Sequence, residues 1–249
     1  MAAVPQLYDT LQRPYDYIRT STIASIEREN VRETVAPFIN DARVLELASS
    51  SILGVDISSV MIDEARRIGK EKKVAFIQAD CTIPRIYDGG LFDIVFGAWL
   101  LNYAPDCAEL IKMFRTISLN LKDGGHFVAV TIAPSSNPIE LLIAEAKARP
   151  MPAGSGWITH QYIKDVEDGI YMNVHGNTPI GELNFKCYHL KREVYEEAAR
   201  EAGLKGEIEW GVTKVLDSYL KGEGLGDASL AELESYKTIP HFGVLVIVK

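Results

Sequence analysis

No run of this chain is long and apolar enough to cross a bilayer. The longest largely apolar stretch, residues 94–101, falls far short of the roughly 20 residues a membrane helix needs. The opening Met-Ala-Ala-Val-Pro-Gln has neither the basic start nor the apolar core of a secretory signal, so a cytoplasmic location without membrane attachment is expected. Cysteine is scarce: Cys81, Cys107 and Cys187 stand far apart with no CxxC pair, which argues for free thiols in a reducing compartment and against a disulfide framework or a zinc site. Positive charge is also in deficit. With 26 Lys and Arg against 34 Asp and Glu, the formal charge is −8, and no basic patch stands out, so a nucleic-acid partner is not expected. The chain lacks a GxGxxG fingerprint, internal repeats and low-complexity tracts, and its five histidines show no HxxxH or HxE spacing; no metal is expected.

What the chain does have is ordinary globular composition, 47% hydrophobic and 24% charged over 249 residues, enough for one large α/β domain. Residues 18–39 read as a helix with Ile23, Ile26, Val31, Val35 and Phe38 near one face. Short apolar strands follow at 43–47, 52–56, 74–78 and 92–97. A helix capped by Ser58 or Ser59 lies between the second and third, and one capped by Asp106, with Glu109 completing a capping box, follows the fourth. Lys122-Asp123-Gly124-Gly125 turns the chain into a fifth strand at 126–132. This alternation predicts a doubly wound, mostly parallel sheet covered on both faces, seven-stranded once the last two strands (206–210 and 241–249) are added. Residues 134–189 break the rhythm with a helix near 138–148, a Pro/Gly-rich loop, and strands at 170–175 and 182–189. They are expected to be a lid or substrate insertion within a single domain spanning 1–249, with 1–40 as an N-terminal helical cap. A helix at 191–202 ends at Gly203.

Doubly wound sheets bind ligands outside the carboxyl ends of their strands, where the strand order reverses. Here those ends carry Glu46, Asp56, Asp80-Cys81 and Gly97-Ala98-Trp99. A carboxylate ending the second strand can accept hydrogen bonds from two ribose hydroxyls. Asp80 can accept from an adenine amino group beside the Cys81 N–H. Each acid alone is equally a strand-end cap; their placement after consecutive strands points to a nucleoside.

These segments resemble the class I S-adenosylmethionine-dependent methyltransferases. RVLELA (43–48) is similar to the family's first strand, GVDISSVMIDEAR (54–66) to its ribose-binding strand and helix, and FIQADC (76–81) to its adenine turn. FDIVFGAWLLNYA (92–104) resembles the motif beneath the methionine moiety, and LKDGGHFVAV (121–130) the turn into strand five. The resemblance covers roughly residues 8–133 and implies a Rossmann-like methyltransferase fold. It also implies S-adenosylmethionine as cofactor, S-adenosylhomocysteine as product, and an activity of the EC 2.1.1 type. The cofactor residues would be Tyr15, Glu46, Ala48, Asp56, Ile57, Met61, Asp80, Cys81, Gly97 and Ala98. Glu46 can also be a buried acid bonded to backbone, and Ile57 and Met61 plain core. Tyr8, Trp99, Asn102 and Tyr103 are candidates for substrate contact. The run WLLNYA resembles small-molecule methyltransferases of natural-product pathways, which suggests a secondary-metabolism role and a small organic acceptor.

One departure matters. The family places a glycine-rich turn and a helix between its first two strands; here Leu47 and Ile52 are separated only by Ala48-Ser49-Ser50-Ser51. Parallel neighbours joined by so few residues break the crossover rule. An antiparallel hairpin, a true deletion, or a turn and helix missing from the residues as read would each account for it. The crossover rule favours the third and predicts a break in the chain there.

No strong general base emerges. His160, on the expected lid, is the weak catalytic candidate, with His175 behind it; His126, His189 and His241 read as structural. The accepting atom and the oligomeric state stay open. An inactive methyltransferase-like binding module is the alternative reading, and a nicotinamide dehydrogenase fails for want of its glycine fingerprint.

Overall fold

The computed structural model describes residues 17–40, 42–47, 53–68, 75–149, 158–221 and 229–249. Tyr8, Tyr15 and Ala48 lie outside these residues, as does the link 48–52.

The main sheet has seven strands in the order β3-β2-β1-β4-β5-β10-β9. These are β1 (Val44–Leu47), β2 (Leu53–Asp56), β3 (Ala75–Gln78), β4 (Phe92–Ala98), β5 (Leu121–Ile132), β9 (Ile208–Val212) and β10 (Phe242–Val248). The first five run parallel to one another; β10 runs antiparallel to both β5 and β9. The mostly parallel seven-stranded sheet read from the sequence is present, and its order reverses between β1 and β4.

Apolar periodicity fixes the helices on each face. In α3 (Cys107–Asn120), Leu110, Phe114 and Ile117 recur at helical spacing and are buried, with Phe114 edge-on to Phe127 of β5 at 5.8 Å. The Asp106 side chain accepts the Glu109 N–H at 2.9 Å, the cap the sequence predicts. On that face α5 (Arg192–Glu201) adds Tyr195, Ala198 and Ala199. The other face is covered by α1 (Thr22–Val35), whose Ile26 is fully buried against Ile94, Val128 and Val130. There the polar stretch before the last strand contributes two short helices unmarked in the sequence, α6 (Asp217–Leu220) and α7 (Leu230–Ser235), with Leu233 buried. The remaining helices are α2 (Ser59–Ile68), after β2, and α4 (Pro138–Ala148), after β5.

A separate antiparallel sheet of three strands, β6 (Ile158–Val166), β7 (Gly169–Thr178) and β8 (Gly181–Leu190), occupies the expected insertion. The sequence marks only two of these strands. β6 runs through His160, Gln161, Tyr162, Lys164 and Asp165 with an exposed middle, so it lacks the period-two apolar signal of a half-buried strand.

The link between β1 and β2 corrects two expectations. The strands are parallel, pairing Leu45 with Leu53 and Leu47 with Val55, so there is no hairpin. The sequence is also continuous through Ala48-Ser49-Ser50-Ser51-Ile52, so no turn and helix are missing from it. In this register Leu53 lies two positions back along the sheet and one strand over from Leu47, a separation of about 8 Å by standard strand spacings.

Candidate functional site

At the reversal in strand order, the carboxyl end of β4 opens into a cavity of about 430 Å³. Ile23, Glu27 and Val31 of α1 form one wall, Phe96, Ala98 and Trp99 of β4 and its end another, and Ile158, Val174 and Phe185 of the three-stranded sheet a third. The lining is mainly apolar. Arg19, Arg28 and Arg32 also line it, and as residues they are exposed, which places them at the rim.

Trp99 carries the one positive φ (54°) among described non-glycine residues, a conformation that strains a bulky side chain by about 1–3 kcal/mol. Two bonds hold it: its backbone N–H to the Val130 carbonyl at 2.8 Å, and its indole Nε1–H to Glu27 Oε2 at 3.1 Å. Burial pushes the Glu27 carboxyl up to about 7, against the opposing pull of the Trp99 bond and of Arg19 and Arg28. At Gly97 an added Cβ would sit 3.3 Å from the Phe127 ring, a tight contact to which the ring would have to give by a few tenths of an ångström.

Asn102 and Tyr103, in a one-turn 3₁₀ helix (Leu101–Tyr103), line the cavity as well. Asn102 is 2% exposed, and its Oδ1 has no hydrogen-bond partner among the described residues. Nearby, burial drives the Cys187 thiol up to about 12, with Asn102 pulling the other way.

His160 and His241 reach the same cavity and converge on Glu145 of α4. His160 Nδ1 lies 2.8 Å from Glu145 Oε2, His241 Nδ1 3.2 Å from Oε1, and the imidazoles stack at 5.4 Å. The buried Arg149 guanidinium sits 3.0 Å from Glu145 Oε1, and it also donates to Ser235 Oγ and the Ile239 carbonyl while stacking over Tyr236. Burial works to raise the Glu145 carboxyl, yet the two histidines hold it well below its ordinary value. Burial also keeps His241 below the usual imidazole range. The three ligand atoms lie within 4.8 Å of one another, close enough for a metal ion. However, both carboxylate oxygens already carry partners and a fixed guanidinium adds positive charge, so the cluster is built as an ion-paired hub. The other histidines sit apart from it in role. His126 stacks on Phe38 at 4.3 Å, and buried His189 bonds the Ala133 carbonyl and is held down to about 4 by burial. His175 is half-buried on β7.

The nucleoside candidates lie at the neighbouring strand ends and are not part of the cavity wall. The Asp56 carboxylate ends β2, half-buried, and its Oδ1 accepts the Ser58 N–H at 2.8 Å. Burial still holds it above its ordinary value despite bonds from the Ser58 and Ile57 amides, the signature of a carboxylate short of donors. Ser58 Oγ accepts the Met61 N–H, which caps α2. Asp80 Oδ1 accepts from both the amide and the hydroxyl of Thr82, at 2.8 and 2.7 Å, so one oxygen is committed to its own turn. The Ala79 N–H bonds the Asp56 carbonyl at 2.9 Å and ties the two strand ends together. Cys81 is core-buried, with its thiol driven up to about 12 by burial. Ile57 and Met61 are half-buried beside Asp56; of Glu46 only the backbone is described. A nucleoside fits at this end: its vicinal hydroxyls would supply the donors Asp56 lacks.

The sequence reading missed Glu27, Glu145 and the cavity role of His241. A signal for the first was present: Ile23, Glu27, Val31 and Val35 form one i, i+4 row, apolar but for the glutamate. Glu145 and His241 stand 96 positions apart in sequence, and no local pattern joins them.

Residues 40–129 match the family model described as a methyltransferase domain. No curated protein matches the chain significantly. Among solved structures, DesVI of Streptomyces venezuelae is similar over 100% of this chain and 99% of its own, at 17% identity and a TM-score of 0.54. The sugar N-methyltransferase KedS8 of Streptoalloteichus sp. ATCC 53650 matches over 100% and 95%, at 21% identity and 0.55. CalS10 of Micromonospora echinaspora, a SAM-bound amino pentose methyltransferase of calicheamicin biosynthesis, matches over 100% and 98%, at 16% and 0.51. At these identities the likeness establishes the fold.

Proposed function

We propose that this chain, whose residues 40–129 match the methyltransferase-domain family model, transfers a methyl group from S-adenosylmethionine to a small and largely apolar organic molecule. The observation that carries this reading is the cavity of about 430 Å³ at the end of β4, where the strand order reverses. That volume suits a compact acceptor, and its aliphatic and aromatic lining favours a hydrophobic body with few polar groups. Two structural neighbours are named as methyltransferases of sugars, which supports a small-molecule acceptor of natural-product type.

In this reading Asp56 accepts the two ribose hydroxyls, with Ile57 and Met61 as apolar walls, while Asp80 and the Cys81 N–H address the adenine. Glu46 and Ala48 serve the methionine end, Gly97 and Ala98 lie beneath it, and Tyr15 and Tyr8 close over the site. When bound, S-adenosylmethionine supplies an electrophilic methyl on a sulfonium. The protein's part is to align the acceptor and exclude water. The segment 134–189 roofs the cavity, the Asn102 Oδ1 takes a donor from the acceptor, and Trp99 and Tyr103 bracket its body.

Titration calorimetry with S-adenosylmethionine and S-adenosylhomocysteine, followed by a labelled-methyl screen of phenols, amines, acids and thiols, tests the proposal. Saturable binding and label transfer to a small molecule are expected. Absence of cofactor binding would overturn the proposal and leave a methyltransferase-like binding module.

A further inference from the structure

We propose that Glu27 is the proton acceptor of the cavity and that the methyl acceptor presents a hydroxyl group to it. The inference deepens the reading of the cavity as the acceptor site and rests on it.

Three observations carry the assignment. Glu27 replaces an apolar residue in the row that faces the cavity, and its carboxylate lies in the wall next to Trp99, directly after the β4 end where reaction centres of this sheet type form. Among the described residues its side-chain partner is the indole N–H, which uses Oε2 and leaves Oε1 for a second donor. That partner is held in a backbone conformation a tryptophan seldom adopts, and such strain persists only where surrounding structure enforces it. The carboxyl titrates near 7, which matches the working range of a general base.

The rim selects the acceptor's charge. Arg19 and Arg28 act on Glu27 from its own side, with Arg32 one turn further on; Trp99 faces it from the β4 end. The other titratable groups of the wall are Tyr103, Cys187, His160 and His241. Three arginines repel an ammonium, so a neutral hydroxyl on an apolar body, such as a phenol, suits the site better than a protonated amine. In the step, the hydroxyl proton passes to the Glu27 carboxylate as an oxygen lone pair forms the new O–C bond. The electron pair of the breaking C–S bond returns to sulfur, which leaves a neutral thioether. Glu27 then releases its proton to solvent.

The probe is 2-naphthol, whose excited state gives up its proton to a nearby base and then emits as naphtholate. With S-adenosylhomocysteine present, the wild-type chain should bind naphthol and gain naphtholate emission as pH rises through about 7. E27Q should bind it and show only naphthol emission, whereas His160→Gln should keep the naphtholate band. Where the screen yields a methylated hydroxyl compound, E27Q should lower kcat by about 100-fold or more and abolish the pH-dependent limb. Failure to bind naphthol, naphtholate emission that survives in E27Q or vanishes in His160→Gln, or transfer confined to amines would overturn the assignment. Cofactor calorimetry on the same samples separates the two claims: naphtholate emission without cofactor binding sinks the methyltransferase reading and leaves Glu27 as the cavity base.

Discussion

Glu27 stands in the cavity wall and Glu145 behind two imidazoles of that wall, and burial acts on both carboxyls in the same sense. Their outcomes are opposite. Glu27 has one neutral hydrogen-bond donor and two arginines acting from the rim, and its carboxyl rises to about 7. Glu145 has His160, His241 and the buried Arg149 in direct contact, and its carboxyl falls well below the ordinary range. What distinguishes them is whether opposite charge is buried with the carboxylate. A group compensated in this way is fixed and ionised, suited to holding α4, β6 and the start of β10 together. A group left short of compensation can exchange a proton near neutral pH.

The largest effect expected from breaking this contrast is at Glu145. Glu145→Gln keeps the shape but leaves Arg149 buried without its counter-charge, at a cost of about 3–5 kcal/mol. Urea denaturation at pH 7 should show a matching loss; a variant as stable as the parent would mean that the hub contributes no net stability. The pH dependence has a definite sign. The folded carboxyl is depressed, so its contribution is present above the unfolded value of roughly 4.3 and is lost as pH falls through the lower folded value.

At Glu27 the sign reverses. Its folded value, about 7, lies above the unfolded one, so the native state holds an extra proton between roughly 4.3 and 7 and loses stability as pH rises across that window. Glu27→Gln removes the penalty. The variant should be more stable than the parent at pH 8, by up to about 4 kcal/mol at 1.36 kcal/mol per pKa unit, less whatever solvent screening takes away. It should match the parent at pH 4. Melting curves at the two pH values check this, and an equal or lower Tm at pH 8 would remove the argument that the carboxyl is under-compensated.

Asp56 is the intermediate case, raised by burial but tied to backbone amides. If ribose hydroxyls complete its shell, Asp56→Ala should weaken S-adenosylmethionine binding by about 1.5–3 kcal/mol for each charged hydrogen bond lost, with the fold intact. Unchanged affinity in calorimetry would take Asp56 out of that role.

How much of this was legible in the sequence follows from the range of the interactions. The strands and the Asp106 cap are local patterns, and they read correctly because period and capping act within a few residues. The exposed β6 lacks such a pattern. The Glu145 hub joins residues from α4, β6 and the start of β10, brought together only by tertiary packing. His160 lines the cavity, but no sequence pattern announces its bond to Glu145. The short β1–β2 link misled for a different reason: the crossover rule asks for about a dozen residues between parallel neighbours, and here the parallel pair is joined by far fewer.

The smallest expected effect isolates the single bond that moderates Glu27. Trp99→Phe keeps an aromatic ring in the wall and deletes the Nε1–H that reaches Glu27 Oε2 at 3.1 Å. That bond favours the ionised carboxylate, so its loss should move the titration further up, while Arg19 and Arg28 still act against burial. A hydrogen bond to a carboxylate contributes about 1.5–3 kcal/mol and one to a neutral carboxyl about 0.5–1.5 kcal/mol, and the difference corresponds to a rise of about one pKa unit. Infrared titration of the carboxyl band, assigned by its disappearance in Glu27→Gln, reads the shift directly. An upward move confirms that the indole tunes the carboxyl. An unmoved midpoint would mean that Trp99 holds its strained backbone for packing alone, and the strained residue could then no longer be counted among the supports for Glu27 as the proton acceptor.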